Sequence, residues 1–350
     1  MKRFLFGVAV GCGIGLSAAL PARAAPTVYV PLGHANAVAV IDAAEDRVVD
    51  RITGVHNAHG LAVTPDGSTL VAGSLLARAG DRPPERPAGV SEEEHAAHHG
   101  GAGAASAGSG KVASLYIIDR AGRAVVRTVD VPGAVHHTAV TAEGRYAVST
   151  HPQGGGISVV DLRRGEVVRF VATGPTPNYP VAGPGAVYVS NAGNDTVSVL
   201  DPERWIVRRN IVVGAKPEHM ALGPHGRTLY VANVGDGTVS AIDLVQGAVV
   251  QTYQVGGQIH GVDVAPSGEV LYASSKDREK VTAIDLATGE RRERALAPAP
   301  YHLMAVPGTG KVYVSSRAAP KVWVLDAKTL ARRGTLEMPG GVAHQMVTVP

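Results

Sequence analysis

The chain has 350 residues, with 33 Lys and Arg against 30 Asp and Glu for a formal charge of +3. Three of the bases, Lys2, Arg3 and Arg23, fall in an N-terminal stretch that has no acid, so the remainder balances at 33 − 3 = 30 basic against 30 acidic residues. A neutral surface with only 2 Trp, 10 Tyr and 3 Phe argues against a nucleic-acid binder, which needs a positive field and stacking platforms, and a single cysteine excludes an intrachain disulfide or a thiolate cluster.

In chain order, residues 1–24 read as a secretory signal peptide. Lys2 and Arg3 precede an apolar run from Phe4 to Leu20, and Ala22-Arg23-Ala24 stands before Ala25-Pro26. That run is short for a membrane anchor and no stop-transfer pattern follows it. The sequence therefore predicts cleavage near Ala25, a periplasmic or secreted mature protein of residues 25–350 without a transmembrane segment, and loss of Cys12 with the leader. From residue 27 a unit of about 41 residues recurs: a glycine and proline approach, a histidine, a short apolar run, a Pro-x-Gly turn, a Tyr-Val core and a strand closed by aspartate. The core reads TVYV (27–30), TLVA (69–72), RYAV (145–148), AVYV (186–189), TLYV (228–231), VLYA (270–273) and KVYV (311–314). The closing aspartates, Asp42, Asp119, Asp161, Asp201, Asp243, Asp285 and Asp326, count the same seven units, and each is expected to hold its turn through backbone amides.

Each unit carries four short runs rich in Val, Ile, Tyr and Thr, bounded by Gly, Pro, Asn and Asp, without an amphipathic helical stretch. Seven such units predict an all-β, seven-bladed β-propeller of four strands per blade. The chain begins with a second strand, TVYV, and ends with a first strand, HQMVTVP (344–350), so the N-terminal strands and the C-terminal strand are expected to pair and close the ring. Arginine pairs at Arg163-Arg164, Arg208-Arg209, Arg291-Arg292 and Arg332-Arg333 fall around the outermost strands, where charge blocks edge-to-edge association; a monomer is expected. The second unit is interrupted by an insertion at about 77–111 that is Pro-rich, then acidic with histidine (EEEHAAHH, 92–99), then Gly/Ala/Ser-rich. That composition does not build a core.

The motifs PDGSTLVAGS (65–74), GPHGRTLYVAN (223–233) and PSGEVLYASS (266–275) resemble the YVTN/YncE-like family of bacterial β-propellers, over nearly the whole mature chain. The resemblance implies the fold and leaves the activity open, since such propellers serve as binding proteins, enzyme domains and scaffolds.

Histidine placement carries the functional signal. Thirteen of the fourteen histidines map to one face of the predicted ring, with only His225 on the other. His59, His137, His219, His260, His302 and His344 head the innermost strands, and Tyr179 takes that place in the remaining unit. The sequence predicts that these seven side chains ring the channel mouth, with His34, His56, His136, His151, His95, His98 and His99 as auxiliaries. Imidazoles without thiolates suit zinc or copper, so the expected function is periplasmic capture, buffering or delivery of a divalent metal, with a periplasmic transporter or redox protein as partner. Three alternatives stay open: a copper- or haem d1-dependent oxidoreductase using an external donor, because no C-x-x-C-H motif is present; a metal-dependent lyase or lactonase; and a scaffold without metal, in which each histidine is a strut bonded within its own blade.

Overall fold

The computed structural model describes residues 26–80 and 110–349. The recurrent Val/Ile/Tyr runs form four-stranded antiparallel sheets arranged as seven blades. Blade 2 runs from Ala58–Val63 through Thr69–Ser74 and Lys111–Asp119 to Ala124–Pro132. Blades 3 to 7 repeat this order, their first strands being Thr138–Val140, Pro177–Gly183, Pro217–Leu222, Ile259–Val264 and Pro300–Val306.

Blade 1 joins the two chain ends, as the sequence predicts. Thr27–Leu32, Ala37–Asp42 and Arg47–Thr53 supply its outer three strands and Val347–Val349 the innermost. Thr27 pairs with Val349 and Tyr29 with Val347. Three backbone pairs are a short seam, but burial reinforces them: Val349 packs with Tyr29, Leu61 and Leu70, and Met346 with Val30 and Tyr313. The described apolar core resolves into seven clusters, one at each interface between neighbouring blades. Trp323 at 1% exposure, wedged among Tyr272, Val281 and Leu303, is the largest buried side chain. A propeller blade is apolar on both faces, and only a closed ring buries both.

The closing aspartates hold their turns as expected. Asp201 Oδ1 accepts hydrogen bonds from the amides of Glu203 at 2.8 Å and Arg204 at 3.1 Å. Equivalent bonds form at Asp42, Asp119, Asp161, Asp243, Asp285 and Asp326. Arg208 also grips Asp201 at 2.7 Å, and together these bonds lower the Asp201 carboxyl to about 2. Outer strands alternate exposed with half-buried or buried residues most clearly in Arg47–Thr53.

The ends of the predicted insertion continue the ladder of blade 2: Arg78–Ala79 pairs with Lys111 and Val112. Its histidines, His95, His98 and His99, lie outside the described residues, as does the predicted signal peptide apart from its boundary at Pro26. No helix among the described residues is long and apolar enough to cross a membrane.

Candidate metal centre

A register slip at the start of the innermost strands positions the histidines. In blade 5, Pro217 pairs with Asn233 and Met220 with Val231, leaving Glu218 and His219 opposite the single residue Ala232. The same slip occurs at Ala58/Gly60, Pro177/Pro180, Ile259/Val262 and Pro300/Leu303. A bulge of this kind breaks the alternation of side chains and re-aims two successive residues. Each blade thus offers two consecutive positions at the channel mouth, forming an upper and a lower rung.

Aligned on these pairings, His344, His59, His136, Asn178, Glu218, His260 and Tyr301 occupy the first rung. The second holds Gln345, Gly60, His137, Tyr179, His219, Gly261 and His302. The seven predicted side chains thus fall on two levels: Tyr179 stands level with His219, whereas His59, His260 and His344 lie one residue earlier. A single strand alternation would have separated the two sets onto opposite sides; the bulge brings them together.

In blades 2 and 6 the first-rung histidine is followed by a glycine, for a steric reason. A Cβ on Gly60 would sit 2.7 Å from the Cα of His137, and one on Gly261 would sit 2.5 Å from the Tyr301 carbonyl oxygen. Backbone cannot yield to such contacts cheaply. Gly261→Ala is accordingly expected to destabilise the protein by about 1–3 kcal/mol in urea unfolding. Gly334→Ala, with no heavy atom within 4 Å of its new Cβ, should be close to neutral.

The rings crowd together. Centroids of His59 and His344 are 4.0 Å apart, His59 and His136 4.6 Å, His137 and His219 4.7 Å, and His219 lies 4.4 Å from His302 and 4.2 Å from His260. All six predicted ring histidines are buried. Burial first, and neighbouring imidazoles second, hold His59, His137, His219 and His302 well below the ordinary histidine range; burial likewise lowers His344 to about 3. The cluster is a set of neutral imidazoles at neutral pH, which is the form that binds metal.

Their hydrogen bonds are incomplete. His59 Nδ1 and Nε2, His344 Nδ1 and Nε2 of His137, His219, His260 and His302 are buried without a hydrogen-bond partner. Buried polar atoms in native proteins are paired with few exceptions, so seven orphan nitrogens on one cluster of packed rings form a donor set that a ligand would complete. One ring is also oriented by an acceptor on the opposite nitrogen, and a second has a carboxylate beside it. His137 Nδ1 donates to the Asn178 carbonyl oxygen at 3.1 Å, and His260 Nδ1 lies 3.0 Å from Glu218 Oε2. Burial holds His260 well below the ordinary histidine range despite that carboxylate. In His137 the proton sits on Nδ1 and the Nε2 lone pair is free, an arrangement typical of metal-binding histidines with a supporting acceptor.

Three groups bring ligand nitrogens within 4.8 Å of one another: His59, His136 and His137; His59, His302 and His344; and His137, His219 and His302. Three imidazoles on a tetrahedral ion at about 2.0–2.1 Å sit closer together than that outer limit. Among the auxiliaries, His136 belongs to a group and donates from Nδ1 to Asn178 O at 3.4 Å. His151 is a strut, bonded to the Ala134 carbonyl at 3.1 Å and to Ser158 Oγ at 2.8 Å. His34 and His56 are exposed and enter none of the groups.

The structure adds residues that strand alternation hides. Glu218 lies beside His260; Tyr301 stacks on His260 at 3.8 Å with Arg317 over its ring. Gln345 accepts from the Leu61 amide and donates from Nε2 to Thr138 O and Tyr179 OH, tying four blades together beneath the rings. Burial pushes the Tyr179 phenol far up, so it stays protonated. Farther along the blade 6 strand, burial raises the Asp263 carboxyl to about 6 although it accepts from the Ala305 and Val264 amides.

Residues 170–243 match the family of YNCE-like beta-propellers. No curated protein sequence matches the chain significantly. Among solved structures the fold is similar to a periplasmic gluconolactonase from Pseudomonas aeruginosa, at 18% identity over 93% of this chain and 99% of that one with a TM-score of 0.67. It is also similar to the hydrazine synthase of Kuenenia stuttgartiensis, at 15% identity over 92% and 100% with a TM-score of 0.66. At such identities the likeness concerns the fold alone. The repeat motifs, the matched segment and the seven four-stranded blades agree on a seven-bladed β-propeller that is similar to the YNCE-like family over residues 170–243.

Proposed function

We propose that this propeller is an exported metal-binding protein that captures zinc or copper in the periplasm and buffers it or hands it to a transporter or redox partner. The observation that carries this reading is the set of buried, neutral imidazoles with unpartnered nitrogens gathered at one channel mouth. A strut bonds inward, as His151 does; the rung histidines instead leave a nitrogen bare toward one another. His59, His137, His219, His260, His302 and His344, joined by His136, are the proposed ligands. Tyr179, protonated and bonded by Gln345, supports the ring by hydrogen bonding. Absence of thiolates favours the borderline cations over softer ones.

Equilibrium dialysis of chelator-treated protein against zinc or copper, followed by elemental analysis, tests the reading. Tight retention of metal is expected, colourless for zinc and coloured for copper(II). A protein that returns from dialysis without metal refutes it. A second reading, metal-dependent opening of a lactone, is favoured by Asp263, whose carboxyl near 6 suits a general base. Lactone turnover by loaded protein that disappears in Asp263→Asn would support it over binding alone.

A further inference from the structure

Resting on the metal-binding reading, we infer that the channel mouth holds at least two metal ions side by side. Zinc and copper are satisfied by about four ligands, whereas seven imidazoles converge here. The ligand groups overlap in a particular way. His59 is shared by the first two, His302 by the last two, and His137 by the first and last, while His136, His344 and His219 each belong to one. The shared rings form a triangle with centroid separations of 4.9, 5.6 and 6.0 Å, and each corner group lies on a different edge. One ion at any corner leaves the remaining orphan nitrogens unpaired.

Two ions relieve that deficit. An ion on His136 and His137 and another on His302 and His344, with His59 serving either, draws on rings from both rungs. His59 is suited to such a place because neither of its nitrogens is engaged, so a ring flip directs its lone pair to either neighbour. His219, within reach of both His137 and His302, joins those two rings in the third group. Groups that share a ring place their ions next to each other within one cluster. Each ion then keeps an open position that a small ligand can fill.

The test uses full-length protein carrying His95→Ala, His98→Ala and His99→Ala, so that the insertion adds no copper. After loading with copper(II) and desalting, bound copper is counted by elemental analysis and unpaired spins by electron paramagnetic resonance. At least two coppers per chain are expected, with a spin count below the copper count because neighbouring ions couple. His136→Gln, which alters a residue of one group only, should lower the stoichiometry by one while leaving the remainder bound. Saturation at a single copper overturns this inference and leaves the metal-binding reading intact, as two coppers with fully independent spins overturn a shared centre; no retained copper overturns both.

Discussion

Alanine at His219, His260 and His302 together is expected to abolish metal binding on the His302 side of the cluster, lowering zinc or copper uptake by about one ion per chain. His302 belongs to two of the three ligand groups and His219 to one, while His260 packs against His219, so the triple change breaks two groups and leaves His59, His136 and His137 in place. Removal of three packed rings also lowers the intrinsic stability of the channel mouth, because buried side chains leave cavities. The informative readout is therefore the metal-dependent increment, holo minus apo, in each protein. A ligand at a hundred times its Kd adds about 2.7 kcal/mol to a folded state that alone binds it. The unsubstituted chain should show at least that increment in urea unfolding, and the triple variant, which keeps the group of His59, His136 and His137, should show a clearly smaller one. His225→Ala, on the opposite face and exposed, should keep the full increment. Equal increments in all three proteins would mean that His219, His260 and His302 hold no metal.

Much of the fold was legible because its determinants are local and repeated. The Tyr-Val cores, the closing aspartates and the split of one blade between TVYV and HQMVTVP each state a strand or a turn by themselves, and the closing pairs Thr27 with Val349 and Tyr29 with Val347 follow. The site was legible in its members and not in its levels. His219 and Tyr179 align because both follow Pro-x, but His260 and His59 precede a glycine whose need is set by another blade: Gly60 meets His137 and Gly261 meets Tyr301. A contact between neighbouring blades has no signature within one repeat. Glu218 escaped for a related reason. Strict alternation would turn it away from its neighbour His219, and only the bulge opposite Ala232 brings both to the channel, where Glu218 meets His260 of the next blade. The His-Gly pairs at 59–60 and 260–261, set against Glu-His at 218–219 and Tyr-His at 301–302, were the available signal for two rungs.

The metal-free protein should be acid-labile, and the sign follows from which state holds the protons. Unfolded imidazoles titrate near 6.5. Burial, reinforced by neighbouring imidazoles for most of them, holds His59, His137, His219, His260 and His302 well below that value and brings His344 to about 3. Between the folded and unfolded values the unfolded chain binds more protons, so stability rises with pH in that window. The contribution is complete above about pH 7 and is lost progressively as pH falls below 6.5. Each group changes stability by up to about 1.4 kcal/mol per pH unit. Six of them acting between pH 7 and 5 reach several kcal/mol, comparable with the roughly 5–15 kcal/mol that a folded domain has in total. Asp263 acts in the opposite sense, since its carboxyl is raised to about 6 and its folded form gains a proton as pH falls toward its unfolded value near 3.9; it offsets about one of the six protons. Urea unfolding of chelator-treated protein at pH 7.5 and 5.5 should show a much lower midpoint at the acid end. His302→Gln, which keeps a polar side chain but does not titrate, should reduce the slope by about one proton. Bound metal, which demands deprotonated rings, should move the acid transition to lower pH. A midpoint unchanged between 7.5 and 5.5 would mean that the imidazoles titrate alike in both states, and hence that water reaches the rungs.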